Sequence, residues 1–386
     1  MEKIGNYRRV LVFSAFDIFP VKYGDQDAVS SLLRSLEGNY ELFQPDGTSS
    51  DSMDIRELSH FHLKSRILSV LLYNLGVVVQ VLKARRRKKN LILITTRFHL
   101  NFSAALLSIV FNIKWVSIML DSFIAYDREY YIKSGNSFHL PFRILNFIEK
   151  LAYKKSDYVL ISSTYEIEVL HKKIGKMARE KLKRTPLSTK MIECNPEGFA
   201  KERNSIISKL NTGSDACFIS FHGNFQENMP SLNAAKFIVE NLAQTLYNLN
   251  DKICILLIGK GLEHYDFSSH KNVRYLGFVE NLCEYLSYSC LEIAPISGGQ
   301  GIKMKILDAM ALGKAVIATV DGARGFVDPN PIIVENIENF ASRINRLIND
   351  QNKLIELGKD SRDYVRKYYS DTSEFKTLLE SLNYRD

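Results

Sequence analysis

Short apolar runs alternate along this chain with longer stretches whose apolar positions recur every three or four residues. The runs at 10–14, 40–43, 91–95, 115–120, 158–162 and 190–194 predict strands, with helices over 27–37, 65–86, 101–112, 139–154 and 164–178. The second half repeats the pattern. Strands are expected at 216–222, 253–258, 273–275, 291–294, 315–319 and 332–334, and helices at 229–247, 281–287, 302–312, 336–349 and 351–368. The strand runs are continuously apolar, as in parallel sheets covered on both faces. Strand–helix alternation of this kind predicts two doubly wound, Rossmann-like α/β domains. The polar stretch with turn formers Pro196 and Gly198 predicts the join. The expected division is 1–195, a linker 196–214, 215–368, and a C-terminal helix 369–386 packing back on the first domain.

The most informative segment runs from Ala294 to Thr319 and reads strand, glycine loop, helix, glycine stop, strand. Gly298, Gly299 and Gly301 allow a tight turn and close approach to a ligand. A helix starting at Ile302 then offers unpaired N–H groups and its positive dipole end, an anion site suited to a diphosphate. Lys303 and Lys305 fall in the first turn, where cations oppose the dipole unless an anion is present. Asp308, about 9 Å further along the axis at 1.5 Å per residue, can reach the vicinal hydroxyls of a ribose. Its bland alternative is an i,i+3 pair with Lys305. Gly313 ends the helix.

The stretch Gly299-Gln300-Gly301-Ile302-Lys303-Met304-Lys305-Ile306-Leu307-Asp308-Ala309-Met310-Ala311-Leu312-Gly313 resembles the donor-binding signature of GT-B glycosyltransferases of family 4 (GT4). The resemblance extends through Phe221-His222-Gly223-Asn224 with Asn228-Met229-Pro230, Leu257-Ile258-Gly259-Lys260-Gly261, Tyr275-Leu276-Gly277-Phe278-Val279 and Ala318 to Gly325, all in the family's order. It implies the GT-B architecture, two such domains facing a cleft, and retaining transfer from a nucleotide-diphosphate sugar, UDP or GDP, with no covalent nucleophile. No DxD-type motif stands at a strand end, and Asp54 and Asp121 are isolated, so metal-independent chemistry is expected. The resemblance also implies that Gly223, Asn224, Gly259, Phe278, Val279, Gly299, Gly301, Ile302, Lys303, Lys305 and Asp308 line the donor site. Two positions depart from the family. Gln300 stands where a glutamate is common, leaving a hydrogen-bonding role to the sugar, and Asp308 is one methylene shorter than the second glutamate. Residues 223–231 also lack the Arg and Lys that hold the diphosphate in many relatives, which leaves that charge to Lys303 and Lys305.

The acceptor is expected at strand ends of the first domain. Gly24 and Asp25 follow the first strand, Arg97 and His99 the third, and Asp121 the fourth. His99, Asp121 and His222 are the candidates for handling the acceptor proton. Glu149 and Lys150 read as surface charges.

The formal net charge is +8, with 51 Lys and Arg against 43 Asp and Glu. Six of the cations, Lys83, Arg85, Arg86, Arg87, Lys88 and Lys89, crowd seven residues after an apolar helix. They either solvate a helix end or meet an anionic membrane surface. The apolar stretches 67–82 and 104–110 are too short or too interrupted to span a bilayer and read as core helices. Five cysteines without metal-ligand spacing read as reduced thiols, and no signal peptide is recognised, so a cytoplasmic protein peripheral to the membrane is expected. The resemblance implies a glycan or lipid-linked acceptor and a role in surface polysaccharide assembly. The rival readings are a nucleic-acid binder or DNA-modifying glucosyltransferase, disfavoured because the basic cluster lacks interleaved aromatics, and a non-transferase nucleotide-sugar protein.

Overall fold

The computed structural model describes residues 9–14, 24–37, 40–44, 55–57, 66–87, 91–96, 100–120, 122–126, 142–175, 179–196, 198–199, 203–226 and 228–383. Backbone contacts divide the chain into two compact units. The first holds the described residues up to Ser188 with the terminal segment Asp371–Asp386, and the second holds Thr189–Ser370.

In the first unit the order is β1 (Arg9–Ser14), α1 (Gly24–Arg34), β2 (Tyr40–Gln44), β3 (Ile55–Glu57), α2 (Arg66–Arg87), β4 (Leu91–Thr96) and α3 (Asn101–Phe111). It continues with β5 (Lys114–Met119), α4 (Phe142–Lys155), β6 (Tyr158–Ile161), α5 (Thr164–Lys173) and β7 (Leu182–Arg184). The seven described strands lie in the order β3-β2-β1-β4-β5-β6-β7. Every pairing is parallel. All six residues of β4 are buried, because helices cover a parallel sheet on both faces.

The second unit opens with a 3-10 turn at Lys190–Glu193 and helix α6 (Arg203–Lys209). Then follow β8 (Cys217–His222), α7 (Met229–Phe237), α8 (Ala243–Leu249), β9 (Ile253–Ile258), β10 (Val273–Gly277), α9 (Leu282–Tyr288) and β11 (Leu291–Ala294). Helix α10 (Met304–Ala311), β12 (Ala315–Ala318), α11 (Val320–Ala323), β13 (Ile333–Val334), α12 (Phe340–Ile348) and α13 (Gln351–Tyr368) complete it. Its parallel strands run β10-β9-β8-β11-β12-β13. Both sheets thus reverse their strand order between the first strand and the fourth, the topology in which ligands bind at the carboxyl ends of the two diverging strands.

The last helix, α14 (Ser373–Asn383), belongs to the first unit. Phe375, Leu379 and Leu382, at helical spacing, are buried, and its Ser381 Oγ lies 3.3 Å from Tyr158 Oη.

Several expectations are corrected. The apolar run 190–194 forms a 3-10 turn, N-capped by Thr189, and the edge strand is β7 instead. The segment 196–214 contains α6 and lies within the second unit. The long helix 229–247 is interrupted by a π turn at Ile238–Leu242. Glu149 is wholly buried, not a surface charge. Cys194 and Cys283 form a disulfide, with Cα atoms 6.5 Å apart across 89 residues of sequence, so the reduced-thiol reading fails for that pair. Helices α2 and α3 are buried along one face only, and the opposite face carries exposed Leu71, Leu75, Phe102 and Leu106.

Candidate functional site: a cationic cradle at the strand ends of the second unit

Strand β8 ends at His222 and β11 at Ala294, so the loops that leave them flank the reversal of strand order. Gly223 follows β8 with φ 155°, and a Cβ there would stand 2.5 Å from Lys305 Nζ and 3.5 Å from Ser231 Oγ. The bare backbone leaves room for the ammonium at the strand end. Gly259, at the end of β9, abuts the carbonyl of Gly223 and has no room for a side chain.

The loop after β11 turns through Gly298, Gly299 and Gly301, at φ 76°, 83° and 64°. Asp321 Oδ2 accepts the Gly298 N–H at 2.6 Å, and Arg324 pairs with its other oxygen at 2.6 Å. Lys303 Nζ donates to the carbonyls of Gln300 at 3.0 Å and Gly301 at 3.4 Å. The ammonium thereby ties two carbonyls of the loop to the start of α10. Gln300 Nε2 is buried and has no hydrogen-bond partner among the described residues. Helix α10 begins at Met304, not Ile302, with Lys303 as N-cap and no side-chain cap. Asp308 therefore lies one turn into the helix, about 6 Å along its axis rather than two turns. Gly313, at φ 71°, follows the C-cap Leu312.

Lys305 points into the cradle. Its Nζ donates to Ser231 Oγ at 2.6 Å and lies 4.5 Å from the centre of the Phe221 ring. Ser231 is held in turn by Asn228, the N-cap of α7, whose Oδ1 accepts both its N–H and its hydroxyl. Burial removes water from the ammonium and lowers its pKa to about 7, with Lys303 adding to the fall and Glu292 and Asp308 opposing it. The sequence motif offers a lysine at this position but does not reveal the burial that lowers its pKa.

A second chain of contacts runs beneath it. His222 Nδ1 lies 3.0 Å from Glu292 Oε1 and Nε2 lies 3.5 Å from Asp308 Oδ2. Ser220 Oγ donates to Glu292 Oε2 at 2.5 Å. Thr189 Oγ1 donates to Asp308 Oδ1 at 2.5 Å, so both oxygens of Asp308 are engaged. Burial opposes charge on His222, but the Glu292 charge and the two carboxylate hydrogen bonds outweigh it and push the ring pKa up to about 9. His222 is thus an imidazolium between two carboxylates, with both nitrogens occupied, and not a free base. The bland i,i+3 pairing of Asp308 with Lys305 is not what the structure shows.

The remaining donor candidates are spread around this centre. Ile302 is buried beside the loop, and Asn224 Oδ1 closes a turn onto Gln226 N at 3.1 Å. Phe278 and Val279 follow β10, with Phe278 56% exposed and its ring 4.9 Å from Lys260 Nζ. Of the acceptor candidates, Gly24 and Asp25 open α1. Arg97, His99 and Asp121 lie outside the described residues. Among the described residues no group of three His, Cys, Asp or Glu side chains is placed to hold a metal ion. No described helix is long and apolar enough to cross a membrane.

Sequence reasoning missed Glu292, Ser231, Thr189, the capping role of Asn228 and the loop-bracing role of Asp321. Glu292 was legible in principle. A glutamate inside the four-residue run Leu291–Ala294 must be buried with the strand, and a buried carboxylate requires partners.

Residues 217–350 match the model of the family described as Glycosyl transferases group 1. Among solved structures, the fold is similar to that of Anabaena Alr3699/HepE in complex with UDP and glucose, with TM-score 0.71, 14% identity, and 98% of this chain and 100% of that one covered. Sucrose-phosphate synthase from Thermosynechococcus elongatus gives TM-score 0.73, 15% identity and coverage of 97% and 98%. WaaG, a glycosyltransferase involved in lipopolysaccharide biosynthesis, gives TM-score 0.67, 12% identity and coverage of 97% and 100%. No curated protein matches the chain by sequence. At these identities the structures establish the fold. The chain has the α/β GT-B fold, and the cradle lies in the part of its second unit that carries the glycosyl transferases group 1 match.

Proposed function

We propose that the protein is a retaining glycosyltransferase that moves a sugar from a nucleotide diphosphate, with UDP the first choice of nucleotide, to an acceptor hydroxyl. The observation that carries this reading is Lys305. Its ammonium is set in a half-buried cradle between Gly223 and Ser231, in the first turn of α10, and among the described residues it forms no salt bridge with an acidic side chain. A diphosphate supplies the missing counter-charge.

In this reading Lys305, Lys303 and the N–H groups of the glycine loop and α10 stabilise the negative charge that grows on the departing diphosphate as the bond from the anomeric carbon breaks. The acceptor oxygen forms the new bond to that carbon and loses its proton, with His99 or Asp121 as the candidate groups. Asp308 accepts from the ribose, held in place by His222 and Thr189, so His222 moves from proton carrier to positioning residue. Gln300 Nε2, buried without a partner, donates to the sugar. With lysines supplying the charge, the reaction needs no metal. Gly223, Asn224, Gly259, Phe278 and Val279 border the nucleotide, and Gly24, Asp25 and Arg97 the acceptor. The UDP and UDP-glucose bound to HepE support the choice of nucleotide, and the role of WaaG in lipopolysaccharide biosynthesis supports surface polysaccharide assembly on a lipid-linked acceptor at the cytoplasmic membrane face.

A panel of UDP- and GDP-sugars tests the proposal by thermal shift, because a ligand bound to the native state raises the melting temperature. A rise with one nucleotide series, and transfer of its sugar to a simple glycoside acceptor, is expected. No shift with any of them would refute it.

A further inference from the structure

Ten of the seventeen exposed large apolar side chains among the described residues lie on only three helices, α2, α3 and α4. Single exposed apolar residues are ordinary on a protein surface, but a concentration of this kind is not. On α2, Leu71, Leu75, Val79 and Leu82 repeat at helical spacing and stand 61%, 58%, 39% and 41% exposed, while Val77, Val81 and Ala84 on the opposite side are buried. On α3, Phe102, Leu106, Ile109 and Val110 are 50–60% exposed, over a buried face of Ala104, Ala105 and Leu107. Ile144 and Phe147 extend the surface onto α4 at 44% and 57%.

The three helices are neighbours. Helix α3 packs against both α2 and α4, and the Asn74 side chain on α2 accepts the Ser103 N–H of α3 at 3.2 Å. The outward stripes therefore form one broad apolar face.

Its electrostatics are one-sided. The three helices contain nine Lys and Arg residues and one carboxylate, Glu149, so together they carry +8, equal to the net charge of the whole chain. That one carboxylate is 0% exposed and faces the interior, where Ser122, Phe123, Ile124 and Tyr153 hold it. No acidic side chain of these helices reaches the surface. Exposed Arg143, Lys150, Lys154 and Lys155 line the α4 side, and exposed Lys83 and Arg86 the end of α2. Arg85 lies over the Phe111 ring at 4.5 Å, which keeps a cation at the apolar margin.

We propose that this face docks on a bilayer of anionic lipid, with the side chains of α3 entering the headgroup–acyl boundary and the cations of α2 and α4 pairing with headgroups. Apolar insertion combined with basic residues at the rim is the physical signature of interfacial binding. A duplex nucleic acid would use the cations but would leave the central Phe102, Leu106 and Ile109 in water. The docking does not depend on the proposed transfer reaction. Only its use, meeting a lipid-linked acceptor, rests on that reading.

The test is sedimentation of the full chain with phosphatidylcholine vesicles, with and without phosphatidylglycerol. Binding to the anionic vesicles at least tenfold tighter than to the neutral ones, and weakened by salt, is expected. Phe102→Gln with Ile109→Gln should reduce binding about tenfold, and Lys150→Glu with Lys154→Glu should reduce it similarly. All these positions are exposed, and the melting temperature of each variant confirms that it folds. Absence of binding to anionic vesicles, or binding that the glutamine pair leaves intact, would overturn the proposal. So would a dimer in sedimentation equilibrium that the glutamine pair dissociates, because a second copy would then cover the face. Nucleotide-induced thermal shift, measured on the same variants without lipid, should match wild type and so separates this outcome from failure of the donor site.

Discussion

His222 Nε2 faces Asp308 Oδ2 at 3.5 Å while its other ring nitrogen lies 3.0 Å from buried Glu292, so a strand end and a helix are joined through one imidazolium. Replacing the ring breaks this link and leaves Glu292 buried without its main counter-charge. On the proposed reading, in which the residue orients Asp308 and does not react, His222→Asn is expected to lower donor affinity about tenfold, with a smaller effect on turnover. The ring pKa is raised, so the stabilisation it gives is complete below its ordinary value of 6.5 and is lost as pH rises through about 9. The melting-temperature difference between wild type and His222→Asn should therefore be large at pH 6 and shrink towards pH 10. A pH-independent difference would show that the ring acts by packing alone.

Lys305 has the opposite sign. Its pKa falls from 10.5 to about 7, so the folded, ligand-free protein gains stability as pH rises from about 7 towards 10.5. Lys305→Met keeps the length of the side chain and removes the penalty of a partly desolvated ammonium. It should raise the melting temperature of the ligand-free protein at pH 6.5 and abolish the response to nucleotide, a stability gain bought by loss of function. In wild type the affinity for nucleotide should weaken as pH rises above 7, because binding then requires uptake of a proton by Lys305.

Asp308 separates two roles. Asp308→Asn retains an acceptor for the Thr189 hydroxyl but removes the charge beside His222, whereas Asp308→Ala removes both. Donor affinity should fall about tenfold in Asp308→Asn and a further severalfold in Asp308→Ala. Equal affinities for a nucleoside diphosphate and its 2′,3′-dideoxy analogue in wild type would contradict contact with the ribose.

Glu149 is a structural prediction in the first unit. It accepts from Ser122 Oγ at 2.5 Å, Phe123 N at 2.7 Å, Ile124 N at 3.2 Å and Tyr153 Oη at 2.7 Å. Burial raises its pKa to about 6 against the pull of those four donors. Glu149→Ala strands them all, and a loss of about 3 kcal/mol is expected in denaturant unfolding of the first unit.

The fold was legible because parallel strands covered on both faces leave uninterrupted apolar runs, such as Leu-Ile-Leu-Ile in β4 and Ile-Cys-Ile-Leu-Leu-Ile in β9. The run 190–194 misled because apolarity marks burial and not conformation. Met191 is buried, but from a 3-10 turn capped by Thr189. The cradle was legible where backbone geometry demands particular residues: Gly298, Gly299, Gly301 and Gly313 all have left-handed φ. Its polar bracing was not legible. Glu292, Ser231 and Thr189 lie 70, 74 and 119 residues from His222, Lys305 and Asp308, the side chains they meet, and only the fold determines those meetings. The cores of α2 and α3 were overread for a related reason. An apolar stretch shows that burial is favourable, not that the rest of the chain supplies a cover.

Calorimetric titration of UDP into wild-type protein and Lys305→Met at pH 6.5 tests the donor cradle most directly. One site per chain in wild type, weakened about a hundredfold or more in the variant, is the expected result. Equal affinity in the two proteins would place the diphosphate elsewhere and contradict the assignment.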